Sequence, residues 1–461
     1  MSQHRKIALL LFLWMCFHAT TLELFVWFDW EAGVQRGAAL VFMVIYAALL
    51  FRNRSKLKHV LVTMRVQAWQ RYGVGLVAAV LMAVTVYAGV QSWVKADRED
   101  FIPGDMGRSM FQSYRALQTG QSPYGQRVIV DFQPLLEMKK VNEAKPFCFH
   151  SEGVATFSNL ARYWDSLDVN LFDAIVPKVS NDERCMAEKQ MLASLGLKYG
   201  PAMLTLYVPF IGMWGKGGIF AANLFYLMVF TLLAFFRGPQ IRHANFWVAG
   251  CFLVMLFGPT HIRSQGLVAS ANDLLPLGWA IMGYYLLKRK QTWLFGAFCL
   301  SLSFSAKFLP GLFFLPFLLR TNLRTMVVFG FLVLLWFAPF WVWDSQGLWN
   351  NLMVFMLHRP SDSTALAHYL PPAVVVGLQV LVGVGLVVFA LKTALKSKCD
   401  HSDWLFVLLG MCALLFAGKI LHNNYILWVQ VVFGFAVFTW LADHEPSVPG
   451  SVLEQRSIEG P

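Results

Sequence analysis

Carboxylates, cations and imidazoles collect in a few short stretches of this sequence, where together they could carry acid–base chemistry on an anionic substrate. "ADREDFIPGD" supplies Asp97, Glu99, Asp100 and Asp105, and "IRSQGLVASAND" supplies Arg263, Gln265, Asn272 and Asp273. Lys307 stands alone in the apolar run "FCLSLSFSAKFLPGLFFLPFLLR". His358, Arg359 and His368 fall in "HRPSDSTALAHY", and Lys419, His422, Asn423 and Asn424 in "GKILHNNY". A carboxylate can accept the proton of an attacking hydroxyl, while cations take up charge developing on a departing anion. Such chemistry requires that stretches far apart in the chain meet on one side of one structure.

Composition names the elements that must bring them there. The 461 residues are 57% hydrophobic and only 14% charged, and apolar runs of about 18–24 residues, long enough for a hydrocarbon core, recur from end to end. The expected fold is an all-α polytopic membrane protein with about twelve transmembrane helices and one large, mostly helical exterior loop. The spans fall at about 8–28, 37–51, 73–94, 219–236, 246–258, 271–287, 292–305, 309–320, 325–343, 372–391, 404–418 and 424–441. Several are short, which points to tilted, broken or re-entrant helices. The apolar stretch 201–215 is read as an interfacial or re-entrant helix, because counting it as a span would invert every later loop. The first apolar run lacks a small-residue cleavage site and reads as a retained span.

Four regions emerge from this pattern: N-terminal transmembrane helices over 1–94, an exterior loop or cap over 95–218, a transmembrane bundle over 219–441 and a cytoplasmic tail over 442–461. Arg5–Lys6, the basic 52–71 loop, Arg237/Arg242, Lys288–Arg289–Lys290, Arg320/Arg324 and Lys392/Lys396/Lys398 all fall on one side. The opposite short loops hold only Arg36, Arg263, Lys307, Arg359 and Lys419. By the bias of basic residues both termini are cytoplasmic, and the protein belongs in the cytoplasmic (inner) membrane with its polar site facing the periplasm or exterior. The net charge of +12 then reflects basic loops facing anionic lipid, and no nucleic-acid partner is implied. Cys148 and Cys185, both in the exterior loop, form a disulfide candidate.

This topology puts all the unusual polar stretches on the exterior face. Singly, each has a bland reading: a lysine ending a span can snorkel to the interface, and a His or Asn near a turn is usually a cap. Jointly they describe a shared site at the membrane surface. Glycosyl transfer from a lipid-phosphate sugar needs such a set, because its phosphate stays at headgroup depth, within reach of a lysine at a helix end. The partners expected are a polyprenyl-phosphate sugar donor, a lipid- or glycan-linked acceptor and membrane lipids. No cofactor is called for; the sequence does not settle a metal requirement, and the reading leans against one because Lys and Arg can supply the positive charge.

The stretch "GDMGRSMFQSYRALQTGQSPYG", with Asp105, Tyr114, Ala116, Gly120, Pro123 and Tyr124 in order, resembles the first exterior loop of glycosyltransferase family 87, within the polytopic glycosyltransferase superfamily C. "KYGPAMLTLYVPF", which holds Tyr199, resembles the Tyr-Gly-Pro stretch ahead of that family's next spans, and "SAND" through "AKFLP" resembles its Asn-Asp start and its Lys-x-x-Pro span end. The likeness covers about 104–320. It implies a polyprenyl-phosphate-dependent, inverting glycosyltransferase in which Asp105 is the base and Lys307 serves the donor phosphate, supported by Arg263, Arg359, His358 and His422. Tyr124, Tyr199, Gln265, Asn272, Asp273 and Asn423 are then substrate-binding candidates. Three spans precede the acidic loop where the superfamily usually has one, and Asp97 and Asp100 rival Asp105 as the base. The alternatives are a polymerase or ligase acting on undecaprenyl-diphosphate glycans, and a lipid or sugar transporter.

Overall fold

The computed structural model describes residues 68–96, 105–125, 197–237, 272–288, 291–354, 370–395, 400–418 and 423–442, with a few isolated helical positions besides. Those residues are helical and contain no strand. The helices are α1 (Ala68–Ala96), α2 (Asp105–Gln118), α3 (Pro201–Trp214), α4 (Gly217–Arg237), α5 (Leu274–Leu287), α6 (Trp293–Ala306), α7 (Phe308–Leu312), α8 (Leu315–Leu318), α9 (Leu323–Trp349), α10 (Pro372–Leu395), α11 (Asp400–Ala417) and α12 (Asn423–Ala442). A π-helical turn, Asn350–Val354, extends α9.

Among the described residues three helices are long and apolar enough to cross a membrane: Tyr72–Ala96, Leu323–Met353 and Ala373–Lys392. Their side chains suit a hydrocarbon solvent. On α9, Leu323, Val327, Phe331, Leu334 and Val342 all point outward and exposed, a pattern that would be costly in water over so long a stretch. The remaining apolar helices among the described residues are shorter, and the expected spans at about 8–28, 37–51 and 246–258 lie outside the described residues apart from isolated positions. The run expected as a single span at 309–320 is two short helices, α7 and α8, separated by a turn. Pro310 and Pro316 each remove a backbone donor there, which favours short pieces over one continuous helix. The stretch at 201–215 is a helix of 14 residues, α3, ended by Gly215 at φ 53°. At 1.5 Å per residue it is about 21 Å long, less than a bilayer core.

The chain divides into two compact units. One comprises Met1–Val84, Thr231–Thr260 and Ser361–Pro461, and holds α10, α11 and α12. There α10 packs on α11 and α11 on α12, with Phe389 beside Phe406 and Trp404 stacked on Phe435 at 5.5 Å. The other comprises Thr85–Phe230 and His261–Pro360. Its core gathers Met106, Met110, Tyr124, Tyr199, Tyr207, Phe220, Leu275, Leu302 and Ala306.

Within this second unit the closest packing is between α5 and α6. A methyl group on Gly283 would lie 3.0 Å from the Leu300 amide nitrogen, and one on Gly296 would lie 2.7 Å from that of Leu287. Only glycine lets the two backbones approach so closely, the usual device where lipid offers no hydrophobic drive for helices to associate. Asn322 caps α9, its carboxamide oxygen accepting from the Thr325 amide at 2.9 Å.

Candidate functional site

The helices α5 and α6 pack closely and are joined by the short segment 288–292, so the residue before α5 and the residue after α6 lie at the same end. Those residues are Asp273 and Lys307. Lys307 takes an extended backbone (φ −155°, ψ 119°) that stops α6 and starts α7. Its ammonium donates to the Asp273 carboxylate, and the two side chains are 10% and 0% exposed. An isolated lysine in such a place would be strongly unfavourable, whereas a paired one is tolerated. The ammonium also lies 5.4 Å from the centre of the Tyr199 ring, close enough for the ring face to attract it.

Tyr199 is held from two directions. The next residue, Gly200, donates its amide to the Ala306 carbonyl at 2.9 Å, and a methyl group there would overlap the Ser305 carbonyl. The Tyr124 hydroxyl donates to the Tyr199 carbonyl at 2.9 Å, while the Leu197 amide donates to the Pro123 carbonyl at 2.9 Å. The turn at Ser122–Gly125 is in turn fixed by Asn351, whose carboxamide donates to the Tyr124 carbonyl at 2.7 Å and to the Gly347 carbonyl at 2.8 Å. The Tyr124 ring stands edge-on to Phe340 at 5.6 Å. Burial pushes the Tyr124 phenol well above its ordinary range, so it remains a neutral donor near neutral pH.

Among the residues expected to form the site, the second unit therefore brings Tyr124, Tyr199, Asp273 and Lys307 into one connected set. Asn272 adjoins Asp273 and is 1% exposed. Asp105 is the first residue of α2 in the same unit, and Asn423 is the first residue of α12 in the other. Asp97, Asp100, Arg263, Gln265, His358, Arg359, His422 and the Cys148–Cys185 pair lie outside the described residues.

Other polar residues of the unit were not among the expected site residues. Asn351 lies 227 residues from Tyr124, and nothing local signals that partnership. Asp344 interrupts the φ/ψ of α9 (φ −154°, ψ 74°) and accepts from the Gly347 amide at 2.8 Å, which restarts the helix toward Asn351. Ser109, Gln112 and Ser113 on α2 are 0% exposed; their spacing of three and four residues is visible in the sequence as one helical stripe. The side-chain polar atoms of Ser109, Gln112, Ser113 and Asn272 have no hydrogen-bond partner among the described residues. A buried polar group left so costs about 1–3 kcal/mol.

Chemically, the set offers a positioned, mostly desolvated ammonium with a carboxylate behind it and a ring beside it. No family model, curated protein or solved structure matches the chain.

Proposed function

We propose that the chain is an integral-membrane glycosyltransferase of the cytoplasmic membrane, moving a sugar from a polyprenyl-phosphate donor to a glycan or lipid acceptor on the exterior face. The observation that carries this reading is Lys307, fixed by Asp273 and Tyr199 at a break between helices, in the unit whose helix α2 begins with Asp105. The acceptor hydroxyl attacks the anomeric carbon of the donor sugar and gives its proton to a carboxylate, Asp105 or its neighbours Asp97 and Asp100. The bond from that carbon to the phosphate oxygen breaks, its electron pair staying on the phosphate. Lys307 neutralises the charge that develops there, and Asp273 holds the lysine in place.

The test is transfer by the purified protein from polyprenyl-phosphate sugars to lipid or glycan acceptors. Asp105→Asn preserves shape but cannot take the proton, and turnover is expected to fall about 10²–10⁴-fold with donor binding largely kept. Lys307→Ala is expected to weaken donor binding and turnover together, and Lys307→Arg to rescue only in part because the two cations differ in shape. Full activity in Asp105→Asn with loss in Asp100→Asn or Asp97→Asn moves the base and keeps the class. Full activity in all three carboxamide variants and in Lys307→Ala defeats the reading.

The near-complete burial of the Lys307–Asp273 pair favours a second reading, a structural tie inside a membrane bundle with no substrate role. The double variant Asp273→Leu/Lys307→Met separates the two. Replacing both charges of a buried pair with packed apolar groups is often neutral or stabilising, so the double variant folds under either reading. It is inactive only if the lysine serves the donor.

A further inference from the structure

The end of the second unit opposite Lys307 gathers positive charge on a floor of aromatic rings. Lys288, at the C-terminal end of α5, lies 4.1 Å from the centre of the Tyr284 ring. Tyr284 stands edge-on to Phe317 of α8 at 4.8 Å, and the Arg320 guanidinium lies 5.4 Å from the centre of the Phe317 ring. Arg324, in the first turn of α9, lies 5.3 Å from the centre of the ring of Trp293, the first residue of α6. Ring faces attract cations, so each charge is tethered to a fixed group. Four helix ends converge here: the end of α5, the start of α6, the end of α8 and the start of α9. The sequence holds no Asp or Glu between Asp273 and Asp344, so these helix ends bring positive charge alone.

The surface beside these cations is apolar and open. Leu294 and Phe295 follow Trp293, Leu319 precedes Arg320 and Leu323 precedes Arg324, and all four are exposed. Val327, one turn beyond Leu323 on α9, is exposed too. Positive charge next to exposed apolar side chains fits an amphiphile with an anionic head. A soluble anion would gain nothing from the apolar flank, and a zwitterionic lipid carries its own cation. We infer that this end of the unit binds an anionic phospholipid, its phosphate between Lys288, Arg320 and Arg324 and its acyl chains along the start of α9. Basic pockets between membrane helices hold such headgroups. The bias of basic residues among loops asks only for positive charge on this side; a site asks for these cations on these rings. With Lys307 at the exterior face, the lipid belongs to the cytoplasmic leaflet. The inference needs the chain to lie in a membrane and does not depend on the glycosyltransferase reading.

The experiment measures lipid retention by the purified, detergent-solubilised full chain, using native mass spectrometry with added cardiolipin, phosphatidylglycerol or phosphatidylethanolamine. The wild type is expected to retain the two anionic lipids in preference to phosphatidylethanolamine. Arg320→Gln and Arg324→Gln are each expected to weaken that retention about fivefold, the usual effect of one cation at a lipid surface. Trp293→Leu keeps every charge but removes the ring beside Arg324, and is expected to weaken retention by about two- to fivefold. Lys392→Gln removes a cation from the last turn of α10, in the other unit, and is expected to change nothing. Arg324 is exposed, so its variant is expected to keep the wild-type melting temperature without lipid. Equal retention of phosphatidylethanolamine overturns the inference, and so does unchanged retention in Arg320→Gln and Arg324→Gln. A loss in Lys392→Gln equal to that in Arg324→Gln also overturns it, because the attraction is then diffuse. Soluble glycerol phosphate bound as tightly as the lipid overturns it as well, because the chains then contribute nothing.

Discussion

The α5–α6 hairpin and helix α10 are both apolar and both rich in glycine, yet the glycines mean opposite things. Around Gly377, Gly383 and Gly385 of α10 there is open space, with no atom within 4 Å of an added methyl group. In the hairpin, Gly283 and Gly296 are pressed against the partner backbone at 3.0 Å and 2.7 Å. Helix α10 turns Val376, Val380, Leu381, Val384 and Val387 outward, so its surroundings ask only that it be apolar and long. The hairpin is buried, with Leu277, Ala280, Leu300 and Leu302 at 2% exposure or less, and its ends carry the charged pair. One region is specified by composition, the other by contact. Precision is concentrated where two short helices must present Asp273 and Lys307 to each other.

The sharpest way to break this contrast is to remove one charge of the pair. Asp273→Ala leaves a buried ammonium unmatched, and a loss of about 3–5 kcal/mol of stability is expected. The double variant Asp273→Leu/Lys307→Met should recover most of it, as read from unfolding in detergent. Next in size is Gly296→Ala, which forces a methyl group onto the Leu287 backbone. A loss of about 1–3 kcal/mol is expected from overpacking, with a lower thermal midpoint. The smallest effect is at Gly385→Ala, where open space lets the methyl group add helix propensity. The expected change is a gain of about 0.5–1 kcal/mol. If Gly296→Ala and Gly385→Ala shift the midpoint alike, the glycines of the two regions do not differ as described.

The apolar runs made several helices readable in advance: α5, α6 and α10 start and stop within a few residues of where hydropathy places them, while α9 starts there but runs on past the expected end at 343 to Trp349. That Asp273 and Lys307 lie at the same end was readable too, since two short runs joined by a basic turn bring their far ends together; that they pair with each other was not. Other features depend on contacts that no local pattern encodes. Gly200 is needed because the Ser305 carbonyl arrives there from another helix. Asn351 is needed because Tyr124 presents a carbonyl to it from far away in the chain. The division of 309–320 into α7 and α8 was signalled by Pro310 and Pro316, but the hydropathy of the run outweighed them. Apolar composition records affinity for lipid; it does not record where a hydrogen-bond ladder stops.

Helix α9 has a consequence that concerns measure more than chemistry. Its outward-facing residues tolerate exchange among Leu, Val and Phe, since the lipid does not distinguish them. Its length has no such latitude. Asn351 reaches the Tyr124 carbonyl from beyond the Asp344 break, in one rotational phase of the helix. Each residue added or removed turns the downstream part of the helix by about 100°. A single insertion among the interchangeable valines and leucines would swing Asn351 away from the turn that carries Tyr124. The stretch is free in its letters and strict in their number.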